Sequence, residues 1–197
     1  KVTSTMSKTK STLIDVAQQL FAKQGVENTT MNDIAKASQR GRRTLYTYFS
    51  SKNDIYKAVI ESELNGLYKK LEAVIKRDIP SDDKLILLAF TRLSAIKEVV
   101  TRNGTLKADF FRDIWQVETV RKEFDKKEIH YLELIIREGF DKGIFELSNI
   151  KQTAELLHYA FKGLEVPAIR GVLRLDYNKK TDRELISNIV LKGLYTK

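Results

Sequence analysis

The chain contains no cysteine, only two prolines and nine glycines in 197 residues, and no long uninterrupted apolar run. The lack of cysteine excludes disulfide bonds and thiolate metal sites, and the scarcity of proline and glycine favours helices. No segment approaches about 18 consecutive apolar residues, so no transmembrane helix is expected. The N-terminal segment lacks the apolar centre of a secretory signal. We therefore expect a cytoplasmic protein with no membrane partner.

Positive charge is concentrated at the N-terminal end. Residues 1–52 contain nine Lys and Arg against three Asp and Glu, whereas the remaining residues contain 26 against 23. Such an imbalance suits an anionic partner bound at one end of the molecule. Charge alone favours a solvated basic surface, so the interpretation depends on the motif that shares this segment.

Apolar residues recur at helical spacing along the chain, which predicts an all-α fold of about nine helices. Thr30 and Asp33 have the spacing of a capping box and predict the start of the second helix. The same Ser-x-x-Asp spacing at residues 51–54 predicts the start of the fourth helix. The first predicted helix begins between residues 8 and 12 and ends at residue 24. The others cover residues 31–38, 42–49, 52 to beyond 74, 82–100, 106–117, 118–142, 149–166 and 181–194.

The segment 29–52 carries the clearest functional signal. It predicts two short helices joined by a tight basic turn, followed by the start of a longer helix. The second short helix opens with Arg42, Arg43 and Thr44 and presents Tyr46 and Tyr48 within one further turn. In a helix-turn-helix, the N-terminal residues of the second helix meet base edges in the DNA major groove. The pattern therefore predicts a DNA-binding unit.

The fixed spacings over residues 9–57 resemble those of the TetR family of bacterial transcriptional regulators. They comprise Ala17-x-x-Leu20-Phe21-x-x-x-Gly25, Thr30-Met31-x-x-Ile34-Ala35 and Leu45-Tyr46-x-Tyr48-Phe49-x-x-Lys52. The resemblance implies a three-helix DNA-binding domain over residues 1–52 and a ligand-binding and dimerisation domain over residues 53–197. It also implies two groups of DNA contacts. The expected phosphate contacts are Thr30, Tyr48 and Lys52, and the expected exposed face of the recognition helix is Arg42, Arg43, Thr44 and Tyr46.

The turn between the two short helices departs from the family pattern. The family usually has Gly-Val-Ser where this chain has Gln39-Arg40-Gly41. Without the glycine, either Gln39 adopts a left-handed conformation or the turn follows another route. Arg40 replaces an apolar residue and is a candidate for a further phosphate contact.

The C-terminal part offers only weak candidates for a ligand site. Aromatic residues between bundled helices suit a pocket for an apolar or aromatic effector, and Phe111, Trp115 and Tyr131 are the candidates. The alternative for each is ordinary core packing. His130 and His158 have no partner at metal-ligand spacing in the sequence, so no metal site is predicted.

These observations predict a homodimeric, sequence-specific transcription regulator, in the form of a repressor that a small-molecule ligand releases from a palindromic operator in double-stranded DNA. The predicted dimer interface consists of apolar positions on the last two helices: Leu157, Phe161, Leu164, Ile186, Ile189, Val190 and Leu194. The alternative is a non-specific nucleic-acid-binding or protein-interaction module. No catalytic motif is present, so neither an enzyme nor a cofactor is predicted.

Overall fold

The computed structural model describes the backbone of residues 2–102, 114–192 and 194, and the side chains of residues 8–102, 122–192 and 194. Within these ranges the chain is all-α, as predicted, and contains no β-strand. The helices are α1 (Val2–Gln24), α2 (Met31–Ala37), α3 (Arg42–Tyr48), α4 (Lys52–Ile75), α5 (Ser81–Arg102), α6 (Ile114–Asp141), α7 (Ile150–Gly163), α8 (Glu165–Ile169) and α9 (Lys180–Ile186), and α9 continues into a π-helical turn, Ser187–Leu191.

Four predicted boundaries differ from the structure by three residues or more. Helix α1 begins at Val2, earlier than the predicted start between residues 8 and 12. Helix α6 begins at Ile114, earlier than the predicted residue 118. The helix predicted to run to residue 166 ends at Gly163, and the short α8 follows it with Pro167 in its first turn. Proline is tolerated there because the first-turn N–H groups have no intrahelical acceptor. The last helix leaves α geometry after Ile186.

The chain divides into two compact units. Unit 1 comprises residues 1–65 and 99–121, and unit 2 comprises residues 66–98 and 122–197. Helices α4, α5 and α6 each contribute residues to both units. The fourth helix therefore does not belong wholly to one unit, although the predicted domain boundary at residue 52 assigns it to the second.

Helices α5 and α6 contribute fully buried residues to the core of unit 2. Leu85 and Leu88 on α5, and Leu132 and Ile135 on α6, are fully buried. At the end of α6, a Cβ added to Gly139 would lie 2.3 Å from the ring of Phe145. Only glycine leaves room for this ring, which is itself buried.

None of the described helices is long and apolar enough to cross a membrane.

The residues predicted to form a dimer interface fall into three groups by their exposure. Leu157, Phe161 and Ile186 are buried within the protomer, so their surfaces are not available to a partner chain. Ile189 is 73% exposed. The others, Leu164, Val190 and Leu194, are partly buried. Neighbouring positions supply apolar surface that the prediction omitted, including Leu156 and Tyr159 on α7.

Candidate functional site

A small apolar core fixes the three N-terminal helices. Leu13, Ala17 and Phe21 of α1 pack with Ile34 of α2 and Leu45 of α3, all of them fully buried. Helix α1 ends at Gly25, whose φ of +87° is the left-handed conformation expected there, and the Gly25 N–H donates to the Phe21 carbonyl at 2.9 Å. This core determines which face of α3 remains exposed.

The turn after α2 keeps its expected route, with glutamine in the strained position. Gln39 has φ +54°. Its N–H donates to the Lys36 carbonyl at 3.0 Å, and the Arg40 N–H donates to the Ala35 carbonyl at 3.0 Å. This pair of hydrogen bonds defines a Schellman ending, in which the left-handed residue is usually glycine. Of the two alternatives for this turn, the structure adopts the left-handed Gln39.

Helix α3 presents a basic face to solvent. Gly41 is its N-cap, and Leu45 anchors its opposite side in the core. Arg42 and Arg43 are exposed, and Tyr46, one turn further on, is 45% exposed. Arg40 in the preceding turn is exposed as well. In the described part of the chain, none of these three arginines takes part in an ion pair.

Two predicted contacts on α3 lie on a different side of the helix. Thr44 and Tyr48 are one turn apart and half-buried, and Tyr48 packs against the core of the three helices. The exposed position one turn after Arg43 is instead Thr47, whose hydroxyl donates to the Arg43 carbonyl at 2.9 Å. The sequence analysis omitted Thr47, although the i, i+4 spacing from Arg43 indicates it.

Thr30 and Lys52 have partners within the protein. The Thr30 hydroxyl accepts from the Asp33 N–H at 3.1 Å, and the Thr30 N–H donates to the Asp33 carboxylate at 2.9 Å, which completes the predicted capping box. Hydrogen bonds from Thr30 lower the pKa of Asp33. The Lys52 ammonium donates to the Val26 carbonyl at 2.6 Å and ties the start of α4 to the turn after α1. Both residues thus have structural roles, and their predicted phosphate contacts stay predictions.

Two of the three predicted ligand-pocket residues, Phe111 and Trp115, have side chains outside the described residues. The third, Tyr131, is half-buried on α6, and its ring lies edge-on to Tyr68 with centroids 6.4 Å apart. The pocket prediction is therefore untested at these positions.

Unit 2 contains a buried ion-pair network that the sequence did not reveal. The Arg92 side chain on α5 is completely buried and pairs with Glu128 on α6 and Glu165 on α8. Both carboxylates are themselves buried. A buried guanidinium is tolerated only when carboxylates offset the cost of removing it from water. Arg92 therefore connects three helices of unit 2.

His158 on α7 extends this network. Its Nδ1 lies 3.1 Å from a Glu128 oxygen, and its Nε2 lies 3.4 Å from an Asp125 oxygen, while Lys162 pairs with Asp125 at 2.7 Å. Burial alone would lower the pKa of His158, but the two facing carboxylates outweigh it and raise that pKa. With acceptors at both ring nitrogens, the protonated imidazolium suits the site, because it donates from both.

Asp125, Glu128 and His158 also form the one described group of metal-ligating type. One ligand atom from each lies within 4.8 Å of the others. The two carboxylates face opposite ring nitrogens, however, and a protonated imidazole offers an N–H group to each of them. The network also places three carboxylates against two permanent cations, and a proton on His158 balances these charges. This geometry therefore favours a bound proton over a metal ion.

The sequence is similar to those of known transcription regulators, most specifically over the three N-terminal helices. Residues 13–59 match the family model described as "Bacterial regulatory proteins, tetR family". The transcriptional repressor KstR2 of Rhodococcus jostii is 32% identical over 94 residues, which is 48% of this chain and 46% of that protein. The transcriptional regulator QacR of Staphylococcus aureus is 22% identical over 161 residues, 79% of this chain and 83% of that protein.

Solved structures resemble the chain over nearly its whole length. A transcriptional regulator from Cytophaga hutchinsonii is 24% identical, with a TM-score of 0.72, over 93% of this chain and 97% of that one. At this identity the likeness concerns the fold alone.

Proposed function

This chain belongs to the TetR family of DNA-binding transcription regulators, and we propose that it acts as a homodimeric repressor that a small-molecule ligand releases from a palindromic operator. The family consists of regulators rather than enzymes. Because the proposed target is genomic DNA, we also propose a cytoplasmic location.

The observation that carries the proposal is the exposed basic face of α3. Arg42, Arg43 and Tyr46 project from a helix whose other side is fixed in a packed core. Arginine suits bidentate hydrogen bonding to guanine in the major groove, and we propose that the exposed Arg40 adds a phosphate contact. A rigid support matters because specific contacts require each side chain to be held in position.

A dimer suits this mode of binding. Two-fold symmetry would place the two copies of α3 about 34–36 Å apart, one turn of DNA, and would match a palindromic site. Leu156 and Tyr159 on α7, and Ile189 in the π-helical turn after α9, expose apolar surface that a second protomer could cover. We therefore propose these residues, with the partly buried Val190 and Leu194, as the core of the interface.

Release by a ligand requires that the ligand bind two arrangements of the protein unequally. Helix α4 contributes to both units, and we propose that its reorientation changes the spacing between the two copies of α3. A change from almost full occupancy of the DNA-competent state to about 1% requires a difference in ligand binding free energy of about 5.5 kcal/mol.

Selection of bound duplexes from a random DNA pool tests the regulator. At a salt concentration of about 150 mM, the regulator should enrich a palindrome with half-sites about one helical turn apart. Its affinity for that site should exceed its affinity for random DNA by roughly 10³ or more. A pool that never converges would favour the alternative, a non-specific nucleic-acid-binding module.

Two variants refine this experiment. Replacing Arg42 with Ala should relax the preference at one or two base positions, with a loss of about 1–3 kcal/mol on the selected site. The matched control Arg170→Ala removes an exposed arginine from unit 2 and should leave the selected sequence unchanged. If Arg42→Ala weakens binding equally on every sequence, Arg42 contacts only the phosphate backbone.

Sedimentation tests the interface separately. Ile189→Asp places a charge at a 73% exposed apolar position and should yield monomers without loss of helix content. The control Val172→Asp changes a residue that is 80% exposed and lies outside both proposed interface helices, so it should remain dimeric. A dimeric Ile189→Asp variant would show that the interface lies elsewhere.

A further inference from the structure

Unit 2 contains a surface groove that is apolar at its base and basic at its rim. It has a volume of about 230 Å³ and lies between α5 and the segment that connects α8 to α9. Phe90, Leu93 and Ala168 form part of the base and are each at least nine-tenths buried. Ser94 and Lys97 of α5 also line the groove and are exposed to solvent.

Three cationic side chains line this groove: Lys97, Arg174 and Lys179. The only acidic residue in the lining is Asp176, and one of its carboxylate oxygens already accepts a hydrogen bond from the Asn178 N–H at 2.9 Å. The lining therefore carries a net positive charge beside an apolar base. Within the described residues, neither lysine forms an ion pair.

Internal hydrogen bonds hold the connecting segment in place. The N–H groups of Val172 and Leu173 donate to the Pro167 carbonyl at 3.0 and 3.1 Å, and the Asp176 N–H donates to the Asp182 carboxylate at 2.9 Å. The ring of Tyr177 lies edge-on to Phe90, with centroids 5.6 Å apart. The positive rim is thus fixed against α5 before any ligand binds, which reduces the entropy lost on binding.

Arg174 keeps most of its donors for a ligand. Its Nε donates to the Gly171 carbonyl at 3.2 Å, which uses one of the five N–H groups of a guanidinium. The N–H groups of its two terminal nitrogens, Nη1 and Nη2, suit the two oxygens of a carboxylate or phosphate. At about 30 Å³ for a water-sized group, the volume of about 230 Å³ corresponds to roughly eight such groups, and the open side accommodates more.

We propose that this groove binds a small amphipathic anion, with the apolar body on Phe90 and Leu93 and the carboxylate or phosphate among Lys97, Arg174 and Lys179. The inference rests on the proposed function, because it assigns the class of effector that releases the protein from DNA. It adds an anionic group to the sequence-based expectation of an apolar or aromatic effector.

Calorimetric titration with four probes of equal chain length tests the ligand class. Octanoate and octyl phosphate should bind at least about tenfold more tightly than octan-1-ol or octylammonium. The ratio between the two anions distinguishes a carboxylate ligand from a phosphate ligand. Equal binding of all four probes, or no binding of either anion, would overturn the proposal.

Three variants test the location. Lys97→Gln, Arg174→Gln and Lys179→Gln in combination should abolish the preference for anions. The control combination Lys69→Gln, Lys122→Gln and Lys151→Gln removes three exposed charges elsewhere in unit 2 and should retain it. Ser94→Trp fills the groove from an exposed position and should block every probe. Anion binding that survives both the triple charge variant and Ser94→Trp would place the site elsewhere.

DNA selection without any ligand keeps the two proposals separable. If the protein selects a palindrome but binds no anion, the regulator stands and the groove assignment fails. If octanoate binds in the groove but does not weaken binding to the selected DNA at saturation, the groove is a ligand site without a regulatory role, and the effector assignment is overturned.

Discussion

Replacing Gln39 with glycine should raise the free energy of unfolding. Gln39 holds φ +54° at the end of α2, and a left-handed residue with a Cβ costs about 1–2 kcal/mol. Glycine removes that strain but loses more backbone entropy on folding, by roughly 0.5–1 kcal/mol. The net gain should therefore be roughly 0.5–1 kcal/mol. Urea denaturation followed by circular dichroism measures this gain at one fixed protein concentration, because the stability of the proposed dimer would depend on concentration.

Two further variants separate strain from other effects of the Gln39 side chain. Gln39→Ala keeps a Cβ and should leave the free energy of unfolding nearly unchanged. Helix α6 has the same Schellman ending with glycine in place, since the Gly143 N–H donates to Phe140 and the Ile144 N–H to Gly139. Gly143 has φ +70°, and an added Cβ there meets no atom within 4 Å. Gly143→Ala should therefore cost about 1 kcal/mol through the backbone alone.

Amide hydrogen exchange locates the effect of Gln39→Gly. Protection should increase in α2 and α3, because the altered turn joins them. If Gln39→Gly is no more stable than Gln39→Ala, the left-handed turn carries no strain and our explanation of it is wrong.

Three other outcomes follow from the structure. Stability should be lost as pH rises above 6.5. The pKa of His158 is raised in the folded state, so the protonated side chain stabilises the fold and its deprotonation removes that contribution. In a thermal-melt series, His158→Gln should remove this pH dependence. Stability should also fall as pH drops below 3.8. Burial alone would raise the pKa of Asp125, but hydrogen bonds from His158 and Lys162 outweigh burial and lower this pKa to about 2, so the ion pair is lost on acidification. A thermal-melt series that is flat in this range would contradict the ion pairing. Gly139→Ala should cost at least about 1–3 kcal/mol in urea titration, since Phe145 must move, and an unchanged midpoint would mean that the ring yields freely.

Local sequence signals predicted the N-terminal unit well. A capping box needs only two residues three positions apart, so Thr30 and Asp33 indicate the start of α2 without knowledge of the rest of the fold. The requirement for a left-handed residue at Gln39 is equally local. The family resemblance assigned Arg42, Arg43 and Tyr46 to the exposed face of α3, and these side chains are exposed. It also assigned Thr44 to that face, but Thr44 is half-buried and Thr47 is exposed instead.

Features that depend on packing between distant segments were not predictable. Glu128 is 36 residues from Arg92, and nothing in either neighbourhood indicates the other. The apolar stripe through Leu157 and Phe161 posed a related problem, because a stripe facing the protomer's own core has the same periodicity as one facing a partner. Only the fold distinguishes these possibilities.

The placement of charge gives binding and folding different responses to ionic strength. The arginines of α3 and its turn are exposed, and the phosphate contacts that we propose for them should weaken steeply as salt rises. Arg92 and its carboxylates are buried, where dissolved ions screen little. Concentrated salt should therefore wash nucleic acid from the protein during purification while the helices of unit 2 stay assembled, so that the bare protein is recovered folded.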